Sequence, residues 1–189
     1  MSVPLLRRLF TVKEYHKIVE AGVFSPDDQI ELIQGEIIKM SPIGKRHAAT
    51  VNRLVRLFTQ LLGEDIILSP QNPIELNNNS EPQPDIALLL PRSDFYESKL
   101  PQPQDVLLLV EVADTTANYD REVKIPIYAQ GSILEVWLVD LNQQCVEVYR
   151  EPISNRYQNM QKLRRGDFLF IQFFPNFSIS VDQVLGKIV

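Results

Sequence analysis

Three residues of this chain have types and an order that suit chemistry: Asp85, Glu111 and Lys124. Pro84-Asp85 opens one apolar run, Glu111 closes a second, and Lys124 follows shortly after. If the two runs are strands that pair antiparallel, the start of one lies beside the end of the other, and the carboxylates meet at one sheet edge. Two convergent carboxylates form the oxygen set that Mg²⁺ or Mn²⁺ accepts, with waters completing the octahedron. The main-chain carbonyl of Val112 can add another oxygen. A metal so held activates a water and offsets charge on a scissile phosphate. Lys124, on a helix returning over the sheet, can position that water or stabilise charge developing on phosphorus. Tyr128 lies four residues further on and shares its face.

Taken singly, these residues have ordinary readings. A Pro-Asp pair before a strand is common turn chemistry, and a helical lysine is usually a surface lysine. Glu111 stands apart, because it follows five consecutive apolar residues and precedes Val112 and Ala113. A carboxylate so close to a buried strand needs a partner or a metal.

The elements that must carry these residues can be read from periodicity. Residues 9–22 form a short helix, capped by Thr11 with Glu14 in capping-box position and ended by Gly22. Residues 30–33 and 36–40 form a hairpin about Gln34-Gly35. Residues 45–62 carry a helical stripe of Val51, Leu54, Val55, Phe58, Leu61 and Leu62. Arg53 and Arg56 lie off that stripe on an expected solvated face. Residues 66–76 read as a strand interrupted by Pro70 and Pro73, and therefore at an edge. Residues 84–90 and 106–112 read as buried strands. The proline-rich segment 91–105 reads as a long mobile connection, close enough to the site to touch substrate. A helix is expected from about Tyr119 to Gly131, bent or starting late because of Pro126. Strands at 133–140 and 145–150 flank a hairpin turn. Phe168, Phe170, Phe173, Phe174 and Phe177 read as core packing ahead of base stacking.

The 189 residues suit one large domain, 1–189, and 44% hydrophobic content is ordinary for a globular protein. No apolar run approaches a membrane span, and the N-terminal stretch lacks the apolar core and cleavage site of a secretion signal. A single cysteine, Cys145, excludes an internal disulfide framework and suggests the cytoplasm. One Cys and two His cannot supply a thiolate zinc site, and no glycine-rich nucleotide fingerprint is present. The net charge of −5 argues against a general nucleic-acid coat protein, yet is compatible with a nuclease whose site concentrates carboxylates.

With those residues in place, the chain resembles the PD-(D/E)XK nuclease superfamily, and more closely its Uma-type branch of restriction-endonuclease-like proteins. The matching stretches are ELIQGEI (31–37), His47 at a helix start, PDIALLL (84–90), LLLVEVADTT (107–116), YDREVKIPIYAQGS (119–132) and EVWLVD (135–140). The resemblance implies an α/β fold, a restriction-endonuclease-like mixed central sheet flanked by helices. It further implies Mg²⁺- (or Mn²⁺-) dependent hydrolysis of DNA by a homodimer, with Asp85, Glu111 and Val112 on the metal and Lys124 in catalysis. In the superfamily pattern the lysine sits two residues after the glutamate, where this chain has Ala113; the branch uses a lysine moved to the following helix, matched by Lys124. Asp114 stands where the branch often carries serine. Resemblance adds Glu31 and His47 as auxiliary residues, although strand alternation alone would leave Glu31 exposed and His47 reads first as a helix cap or surface residue. The alternative to an enzyme is a binding module for nucleic acid or protein that keeps the fold without catalysis.

Overall fold

A six-stranded mixed sheet, in the order β3-β4-β5-β6-β7-β8, carries the molecule; the strands are β3 (Ile67–Pro70), β4 (Ile86–Leu89), β5 (Val106–Ala113), β6 (Glu135–Asp140), β7 (Cys145–Ile153) and β8 (Arg156–Arg164). The structure is a computed structural model, and it describes residues 6–25 and 27–187. Residues 1–5 of the N-terminal stretch therefore lie outside the described residues. Every neighbouring pair of strands is antiparallel except β5 and β6, which run parallel. A parallel pair needs a crossover, and here it consists of α3 (Ala117–Tyr119), a π-helical turn (Asp120–Lys124) and α4 (Ile125–Gln130).

Both faces of the sheet are covered, so β4, β5 and β6 are buried along their whole length, as their near-continuous apolar sequences require. On one face, α2 (Lys45–Leu62), α5 (Val181–Leu185) and the hairpin of β9 (Phe168–Ile171) and β10 (Phe174–Ser180) pack on Ile86, Leu88, Leu108, Val110, Trp137 and Val148. On the other face, α4 and the chain around Ile74, Leu76 and Tyr96 cover Ala87, Leu89, Leu109 and Val136. A smaller cluster joins α1 (Val12–Glu20) to β1 (Ile30–Ile33), which pairs with β2 (Glu36–Lys39).

Local chemistry fixes the pieces as expected. Thr11 and Glu14 close a capping box on α1. The β1–β2 turn has positive φ at both Gln34 (50°) and Gly35 (82°), the combination of a tight hairpin turn. A side chain at Gly35 would sit 2.7 Å from Leu9 Cβ, so close approach as well as conformation demands glycine. Pro126 has no N–H to give and its ring crowds the carbonyl four residues back. The chain answers with the wider π turn, in which the Ile125 N–H donates to the carbonyl of Asp120. The helix does not begin late; it changes register.

Four expectations need correction. The strand predicted for 66–76 ends at Pro70; β3 is indeed an edge strand, and beyond it Gln71 turns the chain with φ 53°. Segment 91–105 lies at the far end of the sheet from Asp85 and Glu111, since it leaves β4 at its end and enters β5 at its start. It is pinned by the Arg92–Asp94 ion pair and by Tyr96 Oη donating to the Leu90 carbonyl. Of the five phenylalanines, only Phe174 and Phe177 pack on the core; Phe168, Phe170 and Phe173 are 58%, 48% and 45% exposed, because Leu169 and Ile171 take the inward face of β9. Arg53 is half-buried rather than fully solvated, and its guanidinium donates to the Val184 carbonyl and ties α2 to α5, while Arg56 is exposed as expected.

A buried ion network fastens the crossover to the sheet. Arg121, in the π turn, donates to Glu147 at 2.9 Å and to Asp140, while Lys162 and Tyr149 also donate to Glu147. Burial opposes ionisation of Glu147, but the Arg121, Tyr149 and Lys162 donors outweigh it and hold the carboxyl at about 2, below its ordinary 4.5. A depressed carboxyl contributes stability above its unfolded pKa and loses it as pH falls through the folded one. Glu147→Gln is therefore expected to cost about 3 kcal/mol at pH 7 and to flatten the loss of stability between about pH 4.5 and pH 2. Urea unfolding of both proteins across that range measures it.

Candidate metal and catalytic site

The site is built where β5 ends. Ile86 faces Val110 and Ala87 faces Leu109 across the antiparallel β4–β5 pair. One further step along that register sets Asp85 opposite Glu111, on the same face of the sheet, where paired side chains stand closest. Asp85 is fastened by two donors: the Val112 N–H at 2.7 Å to Oδ2, and His47 Nε2, 2.9 Å from Oδ1. His47 comes from the first turn of α2, so its role is to hold a carboxylate rather than to cap its helix. Its contact with Asp85 raises the imidazole pKa against the opposing effect of burial.

Glu111 is 3% exposed and meets two groups from the crossover. Tyr128 Oη donates to Glu111 Oε1, and Lys124 Nζ lies 3.3 Å from the same oxygen. Lys124 also lies 3.3 Å from Oε2 of Glu31, which the sequence reading left exposed and which is 1% exposed here. The correction has a simple cause. The β1–β2 hairpin docks on the segment before β4 through the Leu32–Glu81 bridge, so the outward face of β1 becomes an inner wall. Glu31 then accepts from the Gln83 N–H at 3.2 Å, and Gln83 Nε2 in turn donates to the Ile30 carbonyl.

Electrostatics follow from burial. Burial pushes the Glu111 carboxyl well above its usual range; Lys124 opposes that shift and the Asp85 charge adds to it. Burial alone would lower the pKa of Lys124, but Glu111, Glu31, Asp120 and Asp85 together raise it, so the ammonium stays charged. Asp120 was not picked out by the sequence reading. It lies in the π turn, is buried, accepts from Thr116 Oγ1 at 2.8 Å, and is raised by burial to about 6. The signal that could have found it is its place four residues before Lys124, hence on the same helical face. Asp114 pairs with Arg46 at 2.9 Å at the rim. His16, which the sequence left without a role, pairs with Glu81 away from this cluster.

His47, Val112 and Lys124 line one cavity of about 740 Å³ together with five carboxylates, Glu31, Asp85, Glu111, Asp114 and Asp120. Among the described residues, no three His, Cys, Asp or Glu side chains cluster tightly enough to hold a metal by themselves. A hard divalent cation asks for less, since one or two carboxylates with waters and a substrate phosphate commonly suffice. Asp85 and Glu111 supply two, and among the described residues Tyr128 and Lys124 meet Glu111 at Oε1 while Oε2 accepts no hydrogen bond. Val112 offers a third oxygen. Its N–H points to the β4 side, where it meets Asp85, and the carbonyl of Ala113 points the other way, to Leu141. The Val112 carbonyl therefore faces the gap beyond the start of β4. This donor set fits Mg²⁺ or Mn²⁺.

The sequence-predicted residues Asp85, Glu111, Val112, Lys124, Tyr128, Glu31 and His47 thus converge on one place. Ala113, where the superfamily lysine would stand, is buried beside β6, and Lys124 reaches Glu111 from the crossover instead. Among the described residues no helix is long and apolar enough to cross a membrane. No curated protein matches the chain. The fold is similar to that of the crystal structure of a putative nuclease belonging to DUF820 from Anabaena variabilis ATCC 29413, with a TM-score of 0.72 and 17% identity over 93% of this chain and 97% of that one. A family model described as "Putative restriction endonuclease" matches residues 12–182, nearly the whole length, and the chain belongs to that family, Uma2.

Proposed function

We propose that the protein is a divalent-metal-dependent nuclease that hydrolyses phosphodiester bonds in DNA. The observation that carries this reading is the placing of Asp85 opposite Glu111 at the ends of two paired strands, with Lys124 at 3.3 Å from Glu111. The charge of the cavity supports it. Five carboxylates against the Lys124 ammonium and the rim Arg46 leave the wall acidic, so a bound cation would favour the entry of an anionic phosphodiester. Asp85, Glu111 and the Val112 carbonyl would hold Mg²⁺ or Mn²⁺. When bound, such a metal supplies Lewis-acid charge and lowers the pKa of a coordinated water.

The protein's own groups do the rest. His47 and the Val112 N–H orient Asp85, and Tyr128 orients Glu111. Lys124, kept charged by its carboxylates, donates toward the oxygens on which negative charge builds as phosphorus is attacked. Glu31 fixes where that ammonium points. DNA as substrate and a homodimer as the cutting unit complete the reading on the strength of the family resemblance, and the single cysteine fits a cytoplasmic location. Ala113 favours a second reading, in which the fold is kept as a binding module without catalysis.

Titration calorimetry with Mn²⁺ separates the two: binding is expected in the wild type and lost in Asp85→Ala, and a wild type that binds no metal would sink the enzyme. In a panel of DNA substrates with Mn²⁺, Glu111→Gln and Lys124→Ala are expected to lower cleavage by about 10²–10³-fold, the scale of removing one preorganised charge-stabilising group. Lys124 also has a structural weight that the panel must control. Lys124→Met leaves Glu31 and Glu111 uncompensated and is expected to cost about 3–5 kcal/mol in urea unfolding. Adding Glu31→Gln should return part of that stability without returning cleavage.

A further inference from the structure

Among the described residues, two buried side-chain polar atoms have no hydrogen-bond partner: Tyr119 Oη and His47 Nδ1. Both residues line the same cavity. Folded proteins pair nearly all such groups, and leaving one unpaired carries a penalty comparable to a lost hydrogen bond. Two in one cavity mark it as a place that completes its hydrogen bonds with something that enters.

The neighbours of Tyr119 are already committed. Asp120 accepts from Thr116, Glu111 accepts from Tyr128, and Lys124 stands between Glu111 and Glu31. The phenol hydroxyl stands free among them, on the last residue of α3 and directly before the π turn that carries Asp120 and Lys124. In a wall of five carboxylates, a free donor is scarce. An uncharged one has a particular use, because it can bind an anion without first drawing a carboxylate to itself as an ammonium does. We propose that Tyr119 is a substrate-binding residue whose hydroxyl donates to a non-bridging oxygen of the phosphodiester held in this cavity. The proposal rests on the phosphodiester reading and adds to it the group that seats the phosphate.

Tyr119→Phe removes the donor and nothing else. Because no atom among the described residues accepts from that hydroxyl, thermal stability is expected to hold or rise slightly, and Mn²⁺ affinity to stay unchanged. KM for cleavage, and Kd for a fluorescein-labelled oligodeoxynucleotide measured by anisotropy in Ca²⁺, are expected to rise about 10- to 100-fold, the scale of a hydrogen bond to a charged group. The same comparison on an oligodeoxynucleotide with a methylphosphonate linkage at the cleaved position should lose the difference, since the charged acceptor is gone. Equal KM and Kd in the two proteins would overturn the role of Tyr119 while leaving the nuclease reading intact. A fall in melting temperature together with weaker Mn²⁺ binding would make the residue structural and overturn it as well. If the wild type neither binds nor cuts either single-stranded or duplex oligodeoxynucleotide, the phosphodiester reading fails and Tyr119 falls with it.

Discussion

A single ammonium group, that of Lys124, is the constraint on which the arrangement depends. Moving a charge out of water costs several kcal/mol even after the surroundings relax, and a pair of opposite charges recovers this only with good geometry. Here one cation stands between two carboxylates, 3.3 Å from each, with Asp120 close by. Remove the cation and two acids are left uncompensated in a buried wall; remove the acids and burial pulls the lysine's pKa down unopposed. Each group is therefore tolerated only in the presence of the others. The main packing clusters do not supply this condition, because they lie on the two faces of the sheet while the charges sit at its end.

That condition explains the elements around it. The hairpin β1–β2 must dock against the segment before β4, or Glu31 would face water. The crossover must widen at Asp120–Lys124, which brings both an acid and the lysine inward and at the same time accommodates Pro126. Arg121, one residue beyond Asp120, faces the other way and is gripped by Glu147 and Asp140, so the turn is held from both sides. The turn is thereby over-determined by ion pairs. Wide helical turns recur where side chains must be aimed, and this one aims two.

Much of this was legible in the sequence, and the parts that were not share a cause. Asp85 and Glu111 could be placed together because strand pairing is a short-range rule: one antiparallel register fixes both. Lys124 and Tyr128 could be joined because four residues make a helical turn. Glu31 could not be placed, since its burial depends on how a distant hairpin docks, and alternation within a strand says only which residues share a face, not which face is covered. The far location of segment 91–105 follows from the same antiparallel pairing, which puts the connection between the two strands at the end opposite Asp85 and Glu111. Phe168 and Phe170 misled for a related reason. Hydrophobic type suggested burial, but period-two alternation with Leu169 and Ile171 decided which side of β9 met the core.

The scattering of the charge cluster along the chain has a consequence for when the site can exist. Its members come from the first hairpin, the start of α2, two sheet strands and the crossover. No early segment contains a carboxylate pair with its cation, and the lysine arrives only after five strands have been made. During synthesis, the emerging chain carries acids that water solvates harmlessly and that cannot converge. Only the completed domain, with its crossover locked down by Arg121, brings them together. A chain cut before the crossover therefore lacks Lys124 and holds its carboxylates without the cation that compensates them.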